Sequence, residues 1–92
     1  MDISFPRTVP AYDSECYTLV FPAEVDGERI QCGITAEALE DHFGASSIGE
    51  ADLVEAFCTH RRAIEETAAT LIKATRGASV LLHSGVFRVY GR

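Results

Sequence analysis

The pair Asp26-Gly27 lies between two runs of strand-forming residues, "CYTLVFPAEV" and "ERIQCGIT". Asp-Gly is the dipeptide preferred by a two-residue type I′ turn, whose central residues need positive φ and whose twist matches that of paired strands. A chain punctuated in this way is expected to form an antiparallel hairpin, and a tight turn also sets its register. Val25 then faces Glu28, while Ala23/Ile30, Phe21/Cys32 and Leu19/Ile34 fall on one face. Because that face is apolar, it is the core face and Cys32 is a core residue. The other face carries Thr18, Val20, Glu24, Arg29, Gln31 and Gly33, with Glu24 and Arg29 placed as a cross-strand ion pair. Pro22 has no N–H to donate, which marks the first strand as an edge or bulged strand rather than a central one.

Helical signals follow the hairpin. Thr35 caps "TAEALEDHFG", in which Ala36, Leu39 and Phe43 line one side and Gly44 supplies the stop. Ser47-Ile48-Gly49-Glu50 matches the capping-box pattern and opens a second, long helix that Arg76 and Gly77 close. Unbroken, that helix would run about 43 Å, beyond the roughly 30 Å breadth of a compact domain this size, although its apolar stripe spans only about 29 Å. At the carboxyl end, "SVLLH" and "VFRVY" flank Ser84-Gly85 and read as a second hairpin, with Val80, Leu82, Phe87 and Val89 on one face and Leu81, His83, Val86, Arg88 and Tyr90 on the other. "DISFP" is a candidate for one more short strand. The expected fold is α+β: a two-layer domain with an antiparallel sheet of about four strands and two helices on one face, in the order β-β-α-α-β-β.

At 92 residues the chain is expected to be a single domain, 1–92, and its 47% hydrophobic and 24% charged content is that of a globular chain rather than a disordered one. The start, "MDISFPRTVP", has no basic run leading into an apolar one, and no apolar stretch approaches a membrane span. Hence a cytoplasmic protein with no membrane partner is expected. Three cysteines, Cys16, Cys32 and Cys58, form neither a disulfide framework nor a CxxC site and are expected to be reduced and mostly buried. The net charge of −6 argues against nucleic acid as a partner. Its distribution is lopsided: residues 1–55 carry −10 and residues 56–92 carry +4. Pairing between the two halves within one molecule is the expected explanation, ahead of an anionic partner for the basic half.

One charged residue falls where a core residue belongs. On a helical wheel Val54, Phe57, Cys58, Ile64, Ala68, Leu71 and Ile72 gather on one side, and Arg61 lies inside their arc. A guanidinium there needs an acceptor. Glu65, one turn on, is spaced to pair with it; an acid of the short helix or carbonyls at a helix end are other candidates. The rival reading is that Arg61 opens into a crevice and binds a small anion. His42, His60 and His83 show no metal-binding spacing, and a Cys-His nucleophile would need tertiary contact that core thiols do not allow, so no catalytic, metal or cofactor residue is expected.

The segments "FPAEVDGERIQCGITAEALEDHF" and "AFCTHRRAIEETAATLI" resemble a family of small proteobacterial proteins known only as domain of unknown function 1488. Cys32, Ile34 and Leu39 match its strand-turn-helix passage, and Phe57, Arg61, Ile64-Glu65, Ala68 and Leu71-Ile72 its long helix; the likeness runs from Ile3 to Arg88. It implies a stand-alone cytoplasmic α+β domain of bacterial origin, with Arg61 and Glu65 as a matched pair, and it implies no activity. The functional expectation is a non-enzymatic interaction or accessory module acting through a protein partner or self-association, with Arg61, His60, Glu65, His83 and Arg88 as candidate interaction or anion-binding residues. Its surface is expected on the solvent face of the sheet, where Val20, Leu81, Val86 and Tyr90 accompany His83 and Arg88. The alternative is a small-anion binder or weak enzyme centred on Arg61. Nucleic-acid binding by Arg61, Arg62, Lys73, Arg76, Arg88 and Arg92 is a third reading, which filter binding at low salt would decide.

Overall fold

The computed structural model describes residues 1–89. Along the chain these form β1 (Ile3–Ser4), β2 (Ala11–Asp13), β3 (Thr18–Val25), β4 (Glu28–Thr35), α1 (Ala36–Phe43), α2 (Glu50–Thr59), α3 (Arg61–Ala74), β5 (Leu81–Leu82) and α4 (Ser84–Val89). The first hairpin has the register its turn requires: Val25 opposite Glu28, Phe21 opposite Cys32 and Leu19 opposite Ile34. Asp26 and Gly27 have φ of 51° and 87°, the positive values of a type I′ turn. Glu24 and Arg29 pair at 3.1 Å. Asp26 also ties down the amino terminus, its carboxylate accepting from the Asp2 N–H and its own N–H donating to the Asp2 carbonyl, both at 2.8 Å.

β3 is an interior strand, contrary to the reading of Pro22. β4 pairs along its whole length on one side, and on the other side β1 pairs at Glu24–Val25 and β2 at Thr18–Val20. Pro22 falls in the gap between those two short strands. Its missing N–H therefore leaves no ladder bond unmade, and the sheet tolerates it in the middle. Across the gap the chain leaves the sheet as a strap, residues 5–10, bounded by Pro6 and the buried Pro10.

The carboxyl end departs from expectation. β5 pairs with β4 in parallel, Gly33 opposite Leu81 and Ile34 opposite Leu82, after a crossover through the helices. "SGVFRV" is a helix. Val86 and Phe87 are both buried, which neighbouring residues on a strand with one covered face cannot be. Tyr90, assigned to the outer sheet face, lies outside the described residues.

The long helix is broken. His60, with φ −112° and ψ 22°, separates α2 from α3. A rod from Ile48 to Arg76 would exceed the 35 Å long axis of the domain, so the chain must bend to keep both halves on the sheet. Each half then has its own inward face, Leu53, Ala56 and Phe57 on α2 and Ile64, Thr67, Ala68 and Ile72 on α3. Cys58 belongs to neither and is exposed, correcting its placement in the core. Ser47 is not the cap of α2, which is capped by Gly49 without a side-chain bond; the Ser47 hydroxyl instead donates to Asp52 at 2.6 Å and accepts from the Gly49 N–H. The cap of α1 is as expected, with Ala38 N–H donating to Thr35 Oγ1 and Gly44 in the left-handed conformation.

Candidate functional site

Arg61 is held entirely by groups of its own chain. Nε donates to Glu65 Oε2 at 2.8 Å, Nη1 to the Thr8 carbonyl at 2.8 Å and Nη2 to the Pro6 carbonyl at 3.0 Å. The guanidinium carbon stands 5.2 Å from the centre of the Phe57 ring, close enough for a cation–π contribution. Only 13% of the side chain is exposed. The Glu65 pairing is the one the helix spacing indicated. No acid of α1 takes part; the remaining acceptors are strap carbonyls more than fifty residues away in sequence, which no local pattern reveals. The strap needs this partner because Pro6 and Pro10 interrupt its pairing with the sheet, leaving carbonyls with no strand to bond. An anion would have to displace all three bonds, so the geometry favours the structural role of Arg61 over the ligand role.

By clamping the strap, Arg61 fixes what the strap displays. Val9, next after the bonded Thr8, is 74% exposed. It lies against α2, where Ala51 and Val54 continue the apolar surface and Glu50 and Glu55 form its rim, in a shallow groove of about 610 Å3. Those two carboxylates have no ion-pair partner among the described residues. Among the described residues no basic side chain lines the groove.

The expected interaction surface on the sheet is thinner than the sequence indicated. Val20 is half-buried and Leu81 is 51% exposed, but Val86 is in the core. Leu81 folds over Gly33, where a Cβ would stand 3.1 Å from Leu81 Cδ1 and 3.0 Å from Thr18 Cγ2. His83 is exposed at the start of α4 with its ring against Gly85. Arg88 is exposed on α4. His60, at the α2–α3 break, lies 5.3 Å from the Phe43 ring and borders a separate cleft of about 300 Å3 shared with Asp52, Glu55 and Thr59. The candidate residues therefore do not converge: Arg61 and Glu65 form one station, and His60, His83 and Arg88 are elsewhere.

One polar cluster was not anticipated. The buried Ser84 hydroxyl donates to Asp41 Oδ2 at 2.7 Å, and His42 Nε2 lies 3.1 Å from both Ser84 Oγ and the Ser84 carbonyl. Since the carbonyl can only accept, His42 donates through Nε2, and the serine proton is directed at the aspartate. This is the wrong arrangement for a nucleophile activated by histidine. It docks α4 onto α1, together with the Phe43–Phe87 ring contact at 5.0 Å. Ser84→Ala is expected to cost about 1.5–3 kcal/mol in urea unfolding, through loss of a hydrogen bond to a charged group.

The thiols divide by exposure. Cys32 is buried, and desolvation pushes its pKa up to about 11, so it stays protonated at neutral pH. Cys16 and Cys58 are exposed; the carboxylate of Asp13 foremost raises the Cys16 pKa. Alkylation of the native protein should therefore modify Cys58 and, more slowly at neutral pH, Cys16. Modification of Cys32 should appear only on unfolding, and mass spectrometry of the labelled peptides checks both expectations. Among the described residues no cluster of ligating side chains suits a metal ion, and no helix is long and apolar enough to cross a membrane.

Comparison with known proteins gives a family and no activity. The model of a family described as protein of unknown function (DUF1488) matches residues 3–82. A crystal structure of a protein of unknown function from the same family, from Shewanella loihica PV-4, superposes with a TM-score of 0.73 at 27% identity, over 88% of this chain and 92% of that one. No curated protein matches.

Proposed function

Since the chain belongs to the DUF1488 family, described as proteins of unknown function, we propose that it is a small cytoplasmic, non-enzymatic interaction module acting through a protein partner or through its own copies. One observation carries this reading. Val9 is the most exposed large apolar residue among those described, and it sits on a strap clamped in place by a half-buried arginine rather than on a free loop. An apolar residue presented by a rigid support binds with less ordering entropy than a mobile one. The neighbouring Val54 and Ala51 widen the surface, and its rim of Glu50 and Glu55 supplies specificity.

Val9→Lys together with Val54→Lys tests it, because both positions face the groove and neither belongs to the buried core. The doubly substituted protein should keep its fold by circular dichroism. By light scattering and in pull-downs from its own cells, it should lose associations that the parent makes. Associations unchanged by the two lysines would place the interface elsewhere, and a parent that stays strictly monomeric and recovers no partner would end the interaction reading.

A further inference from the structure

Ion pairs within the molecule do not reconcile its two electrical halves. Among the described residues, Glu24–Arg29 lies within the acidic half, and Arg61–Glu65 and Arg62–Glu66 lie within the basic half. None joins one half to the other, contrary to what the sequence suggested. The two acids of the basic half are both engaged there. Lys73, Arg76 and Arg88 have no carboxylate at ion-pair distance among the described residues, and Glu50 and Glu55 on the groove have no cation at that distance among them. Arg88 is the one of these three cations with a large, strongly exposed aliphatic residue beside it: Val89, next along α4, is 69% exposed. The groove offers the inverse, with two valines and an alanine between two glutamates.

Resting on the interaction reading above, we propose that the partner of the Val9–Val54 groove is a second copy of this chain, which seats Val89 of its α4 on the valines and sets Arg88 against Glu50 and Glu55. Charge complementarity favours this occupant: a net-acidic chain approaches its own kind most readily where a basic group meets acidic ones, and Arg88 beside Val89 is opposite in sign to the two glutamates and like the groove in its apolar centre. The contact joins different surfaces of the two copies: where both groove–α4 contacts form at once it closes as a twofold dimer, and where only one forms it propagates into a ring or a chain of molecules. A patch this small gives weak, reversible association that weakens as salt screens the charges.

Sedimentation velocity over a wide concentration range, at low and at physiological salt, reads the outcome. The parent should gain mass with concentration, and less so at the higher salt. Arg88→Glu and Glu55→Arg should each weaken association about tenfold, since each replaces attraction with like-charge repulsion. Mixed in equal amounts, the two variants should associate again, because each then supplies the charge its partner needs; that rescue cannot come from a folding defect. A protein monomeric at every concentration, association indifferent to both variants, or failure of the mixture to associate would each overturn the proposal. Should that happen, Val54→Lys in a pull-down decides the broader reading separately, since a foreign partner of the groove would be lost by that variant and retained by Arg88→Glu. Association with nucleic acid that Arg88→Glu removes would assign the unpaired cations to an anionic partner and overturn the proposal as well.

Discussion

Phe57→Ala is expected to cost about 3–5 kcal/mol, the range for emptying a fully buried aromatic site. Phe57 is completely buried and packs against Phe21 with ring centres 5.1 Å apart. It also lies under the Arg61 guanidinium. Truncation therefore leaves a cavity between α2 and the sheet and removes the surface on which the arginine rests. Phe57→Leu, which keeps most of the volume, should cost clearly less. Urea unfolding followed by far-UV circular dichroism separates the two, and a Phe57→Ala protein within about 1 kcal/mol of the parent would show that the core relaxes around the loss.

Arg61→Ala should cost about 2–4 kcal/mol, an expectation that now rests on three named bonds. Its removal leaves Glu65, itself only 20% exposed, without a counter-charge, and leaves the Pro6 and Thr8 carbonyls without their donor. Arg61→Lys keeps the charge and loses the fork. One ammonium cannot reach a carboxylate and two strap carbonyls spread around a planar group, so part of the loss should remain. Amide hydrogen exchange supplies the signature of position: protection of the Thr8 N–H, which donates to the Pro6 carbonyl, should fall in both variants, while the β3–β4 ladder stays protected in Arg61→Lys. Arg62 is the control. Its partner Glu66 is 3.6 Å away and both side chains are mostly in solvent, so Arg62→Ala should change stability by about half a kcal/mol or less. An Arg61→Ala protein as stable as the parent would mean that the strap is held by other contacts.

Local sequence wrote what depends on neighbours along the chain. Asp26-Gly27 determined a turn type, and through it the register of eight residue pairs, because side chains on a strand alternate and a slip of one residue would expose Leu19, Phe21 and Ala23 together. Thr35 and Gly44 bounded α1 for the same reason: a cap is satisfied within a few residues. The Arg61–Glu65 pair was legible as one helical turn.

Other features depended on distant parts of the chain. Periodicity across "DLVEAFCTHRRAIEETAATLI" is compatible with one long helix, and it is the 35 Å extent of the folded domain that calls for a break, which falls at His60. "SGVFRV" has strand-like composition, yet it is a helix because β4 offers β5 a parallel edge and α1 offers the next six residues a docking surface through Asp41, His42 and Phe43. Propensity over six residues is too weak to resist such contacts. The strap is the plainest instance. Pro6 and Pro10 announced irregular chain, but not that its carbonyls would find Arg61, since hydrogen bonds between residues 53 and 55 positions apart exist only once the sheet and helices have brought them together. The sequence thus decided which elements have their bonding needs met locally, and the tertiary structure decided where the remaining donors, acceptors and apolar faces would meet theirs.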